Sequence, residues 1–116
     1  MTRFVLAALL LFLPLAAYAD SVFGPGGNTV SLAVTGTTGR VQFQTTPQHP
    51  SLRIYNAGTV AAFINCGDVT VTATTGSGMP VAPGSVEVMS CGSQLYVAAI
   101  TASGTATIYL TPGTGI

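Results

Sequence analysis

Lysine and tryptophan are missing from this chain altogether, and its 116 residues carry only three arginines against three acids. So few cations leave nucleic acid without its usual partners, since affinity for a phosphate backbone normally rests on several Lys or Arg contacts. No nucleic-acid binding is expected. Scarce charge combined with a 48% share of hydrophobic residues is also the opposite of a disordered composition. Thin charge leaves little repulsion between copies, so self-association or a permanent partner is expected. There is one histidine, His49, and there are two cysteines, Cys66 and Cys91. That supply falls short of a tetrahedral zinc site in both spacing and ligand number. Beyond the opening segment, no window carries an apolar stripe at the 3.6-residue period of a helix.

The opening segment, MTRFVLAALLLFLPLAAYAD, has Arg3 and the amino terminus as a short positive region and an apolar core over residues 4–15 broken by Pro14. Ala17-Tyr18-Ala19 then offers a small-x-small site before Asp20. Residues 1–19 read as a secretory signal peptide cleaved after Ala19. Their apolar run is shorter than the ~20 residues of a spanning helix. Membrane association is thus expected only through an uncleaved leader, and the mature chain is expected to be exported, periplasmic or extracellular. Residues 20–28, DSVFGPGGN, read as a flexible Gly/Pro leader that holds no regular structure, with Val22 and Phe23 folding back on the sheet. Residues 29–116 suffice for one domain.

What the chain has in abundance is β-branched alternation. Val30, Leu32 and Val34 share one face of residues 29–34, and Val41 and Phe43 share one face of residues 40–44. Residues 51–66, SLRIYNAGTVAAFINC, read as a β-hairpin, with Asn56 and Gly58 supplying the positive φ of a tight connection. Residues 69–74 alternate Val69, Val71 and Ala73 with threonines and form the cleanest strand pattern. Met79-Pro80-Val81 reads as a sheet edge inside the irregular stretch 75–84. Val86 and Val88 mark a further strand, followed by residues 95–101 and 105–110. Seven or eight short strands with turn residues between them predict an all-β fold: a single antiparallel β-sandwich, jelly-roll or immunoglobulin-like, or a small barrel. The gaps are too short for the crossover helices of a parallel sheet.

Chemistry-bearing residues are few. Cys66 and Cys91 invite a disulfide in an oxidising compartment. Closing a loop of about 25 residues would contribute about 3 kcal/mol. Buried free thiols are the alternative, because Cys91 has the opposite parity to Val86 and Val88. His49, between Pro47 and Pro50, has no nucleophile elbow or neighbouring acid, so it reads as a solvated loop histidine. Asp68 reads as an Asx cap in a turn. Asp68 and Glu87 together do not make a convincing glycosidase pair. No catalytic residue, metal ligand or cofactor site is assigned. Phe63, Tyr55, Tyr96 and Tyr109 read first as packing. Tyr55 beside Arg53, on the wetter face of its strand, is the pair with interface character.

Four phrases in the later chain go together: RIYNAGT at residues 53–59, MPVAPG at 79–84, VAAITASGTA at 97–106 and TPGTG at 111–115. They resemble small bacteriophage and prophage virion-associated proteins, over roughly the last 65 residues. The resemblance implies a small β-sandwich that sits on a virion as a decoration, cement or accessory structural protein, with no catalytic residues to carry over. The chain departs from that pattern in its leader, in Cys66 and Cys91, and in Tyr96 where a histidine is expected. These departures imply a copy resident in a bacterial genome and working outside the cytoplasm.

The expected function is that of a non-enzymatic structural or accessory protein acting through protein–protein contacts. Its partner is itself or another virion or surface protein, with Arg53 and Tyr55 as contact residues. The alternative is a secreted periplasmic or surface binding module that takes carbohydrate on exposed tyrosines.

Overall fold

The computed structural model describes residues 22–115. The signal peptide expected at residues 1–19, with its cleavage site, lies outside them. The described chain is all strand and turn. It contains β1 (Gly24–Pro25), β2 (Val30–Val34), β3 (Gly39–Gln42), β4 (Ser51–Asn56), β5 (Ala62–Gly67), β6 (Met79–Val81), β7 (Val86–Ser90), β8 (Tyr96–Ile100) and β9 (Ala106–Thr114). Sheet A runs β2-β9-β4-β7, with β1 also on β9, and sheet B runs β3-β8-β5-β6. Every pairing is antiparallel.

The pairings nest. β5 pairs with β6, β4 with β7, β3 with β8 and β2 with β9, and successive pairs fall alternately in sheet B and sheet A. A two-stranded ribbon has in effect been rolled on itself, and the β4·β9 and β5·β8 ladders close each sheet. Two antiparallel sheets thus face each other as a sandwich. Val34, Leu52, Ile54, Ile108 and Leu110 from sheet A meet Ala62, Ile64, Val81, Val97 and Ala99 from sheet B in one fully buried cluster. Burying a side chain the size of Leu or Ile stabilises by about 1.5–3 kcal/mol, so this layer holds the domain together.

The expected hairpin over residues 51–66 is not one. β4 pairs in sheet A and β5 in sheet B, so residues 57–61 form an arch from one layer to the other. Among the described residues no non-glycine residue has positive φ, and Gly58 does not either. Asn56 works by another route. Its fully buried amide donates to Val60 O at 2.9 Å and to Val81 O at 3.0 Å, while Oδ1 accepts from the Gly58 N–H at 2.9 Å. One side chain thereby laces β4 to the arch and to the opposite sheet. Gly58 is required by proximity, because an added Cβ would lie 2.6 Å from Ala106 Cβ.

Residues 69–74 are not a strand either. Both ladder sides of β5 are taken, by β6 and β8. The segment instead crosses the outer surface of sheet B, its backbone bonded by side chains. Arg40 donates to Val71 O at 3.1 Å, Asn65 to Thr72 O at 3.1 Å, and Thr38 Oγ1 accepts from Ala73 N at 2.9 Å. Met79-Pro80-Val81 is the edge strand β6, as its sequence suggests. The leader departs from expectation in part: Gly24 and Pro25 pair with Thr114 and Gly113, and the Gly26 N–H reaches Pro112 O at 2.9 Å. Phe23 lies against Gly113, whereas Val22 is 85% exposed.

Candidate interaction surface

The outward faces of the two sheets differ. On sheet B, register puts Arg40, Ala98 and Asn65 side by side, and a small alanine between two long polar side chains leaves a trough. Residues 68–78 fill it. Arg40 and Asn65 both bond to this segment, and Ala98 beneath it and Ala73 within it are buried. Gly67 and Gly78 permit the close fit, since a Cβ on Gly67 would lie 2.5 Å from Val71 and one on Gly78 2.9 Å from Phe63. Asp68 fixes the entry turn by accepting from Thr70 Oγ1 at 2.6 Å and Thr70 N at 2.8 Å. These bonds from the Thr70 hydroxyl and N–H, with a smaller contribution from Arg40, hold the Asp68 carboxyl below its usual range.

Among the described residues sheet A has no such cover. Alternation turns Leu52, Ile54, Ile108 and Leu110 inward, so Arg53, Tyr55, Tyr109 and Thr111 point out. Ser31, Tyr109, Tyr55 and Val86 follow one another in a single row across β2, β9, β4 and β7. The neighbouring row holds Thr29, Thr111, Arg53 and Val88, with Thr29 and Thr111 joined through their hydroxyls at 2.7 Å. Tyr55 and Tyr109 stack with ring centroids 6.3 Å apart and 20° between planes. Tyr55 is 38% exposed, Tyr109 43% and Val86 41%. Three of the five exposed large apolar side chains among the described residues therefore share one row.

Both residues singled out from sequence, Arg53 and Tyr55, fall on this face. Tyr109 and Val86 join them, which sequence parity missed. Val86 and Val88 read as the dry side of their strand, but they point outward, and Glu87 and Met89 lie opposite Ile54 and Leu52 on the inner side. The same reversal accounts for the cysteines. Cys91 follows the end of β7 with the parity of Met89, turns inward, and is buried. Its Cα lies 5.7 Å from that of Cys66 in β5, at disulfide distance, bringing the two sheets together near one end of the sandwich.

The β6 and β7 edges are poor docking sites. β6 carries Pro80, which offers no N–H, and β7 carries Glu87 on the inner side of an edge strand. Both features discourage a further strand from adding there. Tyr96, on the outward side of sheet B opposite Gln42 and Gly67, does not join the tyrosine pair. His49 is not a freely solvated loop residue: it is partly buried, and its Nδ1 is shielded without a hydrogen-bond partner. Among the described residues, no three His, Cys, Asp or Glu side chains are grouped to hold a metal ion. Neither a comparison with protein-family models nor one with curated proteins finds a match.

Proposed function

We propose that this is a non-enzymatic structural or accessory protein of phage or prophage type, which docks on a second macromolecule through the outer face of sheet A. The carrying observation is the contrast between the two outer faces: the chain covers sheet B with its own residues and leaves an apolar, aromatic row on sheet A in solvent. Tyrosine and arginine are the residues most enriched where binding energy concentrates. A face with one cation, Arg53, and a stacked tyrosine pair has that composition. Apart from the two-residue β1, the nested order of four strands in each sheet supports reading the sandwich as a jelly roll, an architecture used by capsid and lectin domains among others. Fold alone does not assign function, so the reading rests on the face.

The first partner to test is a second copy. Sedimentation equilibrium of the purified protein is expected to show a concentration-dependent oligomer, and Tyr55→Ala with Tyr109→Ala is expected to return it to monomer without loss of fold. A wild-type chain that stays monomeric would remove the second copy and leave a different virion or surface protein as the partner. The secreted binding module remains the second reading, favoured by the cysteine pair, because disulfides persist mainly in oxidising compartments. Mass spectrometry of the native protein tests it, with a mature chain that starts at Asp20 and is two hydrogens lighter than the dithiol as the expected result.

A further inference from the structure

At the end of the sandwich away from the Asn56 arch, residues 26–28 and the loop between β3 and β4 enclose a cleft of about 450 Å³. We propose that this cleft is a binding site for a small neutral polyhydroxylated molecule, a mono- or disaccharide. The site is separate from the sheet A face and does not depend on it.

The first reason is charge. Asn28, Gln42, Gln44, Gln48 and the hydroxyls of Thr45 and Thr46 line the cleft, and among the described residues no Asp, Glu, Lys or Arg does. Among the described residues an ammonium ligand would find no carboxylate there, and a phosphate or carboxylate no Lys or Arg. The second is hydrogen-bonding capacity. The Gln42 amide nitrogen donates to Gln44 O at 3.1 Å and the Gln44 amide nitrogen to Gln94 O at 3.3 Å. These bonds fix both carboxamides by their nitrogens and leave the oxygens to accept. Gln44 Oε1 and His49 Nδ1 are shielded from solvent with no partner. Buried polar groups without partners are uncommon in native structures and call for an explanation. A ligand rich in hydroxyl donors supplies what these atoms lack. The third reason is shape. Val30, partly exposed, gives the cleft an apolar wall against which the C–H face of a sugar ring can lie, and the cleft's volume falls in the range of small-molecule sites.

The segment at residues 24–27 borders the cleft on the His49 side. Gly26 lies so close to His49 that an added Cβ would fall 2.5 Å from its ring, and one on Gly27 would fall 2.8 Å from Pro112. That segment is held by the two-residue β1 and one further backbone bond, so displacing it leaves the main ladders intact.

The test is an amide-resolved NMR titration of the protein with glucose, galactose, N-acetylglucosamine, cellobiose, lactose and chitobiose. At least one sugar is expected to give saturable shifts at Gly26, Gly27, Gln44, His49 and Gln94, with affinity near ~1 mM. Gln44→Leu is expected to weaken that affinity about tenfold, the equivalent of one hydrogen bond. Tyr55→Ala is expected to leave it unchanged, and phosphate and acetate to give no saturable shift. Thermal midpoints of both variants show that they fold. No saturable shift with any sugar up to about 100 mM, far above the expected affinity, would mean that water alone meets the shielded atoms, and the proposal fails. Shifts at Tyr55 and Tyr109 instead would overturn the cleft and move sugar binding to the sheet A face.

Discussion

The outward faces of sheets A and B are built from the same alternation and meet opposite fates. On sheet B the centre of the face is Ala98, flanked by Arg40 and Asn65, and the chain lays residues 68–78 across it. On sheet A the corresponding centre is the Tyr55–Tyr109 pair, and nothing among the described residues lies over it. A small side chain at the middle of a sheet gives room for cover from the same molecule. Two large, amphipathic rings there fill that room and present apolar area to something else. In a chain this poor in charge, an uncovered aromatic row is also where copies would meet first.

One substitution made on both faces separates them most strongly. Ala73→Asp puts a carboxylate into a buried position within the covering segment and should destabilise the protein by about 3 kcal/mol. Ser31→Asp puts the same group on the open face of sheet A and should change stability by no more than about 0.5 kcal/mol. Urea unfolding of the two variants checks this, and equal midpoints would show that residues 68–78 do not protect sheet B in solution.

A smaller effect comes from cutting the ties that hold the cover. Arg40→Ala combined with Asn65→Ala removes side-chain bonds to Val71 O and Thr72 O, at a cost of about 1–2 kcal/mol. The loss should be local. Hydrogen exchange at Ala98, in the centre of β8, is expected to quicken while that at Leu110 in β9 does not. Smaller again is Tyr55→Ala, which gives up a cross-strand aromatic contact worth about 0.5–1 kcal/mol. The proposed association should nonetheless disappear, so a large binding loss beside a small stability loss is the signature of an interaction face.

Much of the framework was readable from the chain, for reasons the particular residues make clear. Val30, Leu32 and Val34, and again Leu52 and Ile54, state period-2 burial without ambiguity, and the all-β class followed. Register was not readable, and it carries the rest. Asn56-Ala57-Gly58 has the composition of a hairpin turn, but Asn56 does its work through a buried carboxamide bonded to Val81 in the other sheet, a partner fixed only once the ribbon has rolled up. Residues 69–74 alternate as well as any strand, yet no ladder position beside β5 was left for them. The parity of Val86 and Val88 points the wrong way for a related reason: on an edge strand an apolar residue is tolerated on the outer side, and a charged one, Glu87, takes the inner parity while staying in solvent. Arg53 and Tyr55 were legible as a candidate pair because alternation sets them opposite Leu52 and Ile54. Tyr109 became their neighbour only through the β4·β9 register.

The smallest predicted effect concerns the turn that starts the cover. Asp68 accepts from both Thr70 groups, and these bonds hold its carboxyl below the usual value of 3.8. A carboxyl whose folded value lies below its unfolded one contributes stability at pH above the unfolded value, and that contribution is lost as pH falls through the folded value. The turn should therefore loosen only below about pH 4, the unfolded range of an aspartate, and it should loosen on sheet B alone. Hydrogen exchange at Thr70 and Val71 in the wild type should rise over that window. Asp68→Asn keeps an acceptor oxygen but cannot titrate, so its exchange at the same amides should be insensitive to pH once the intrinsic chemical dependence is divided out. The Tyr55 and Tyr109 amides, in the sheet opposite Asp68, provide the internal reference. If they respond as Thr70 does, acid is acting on the whole sandwich and the two faces are not independent.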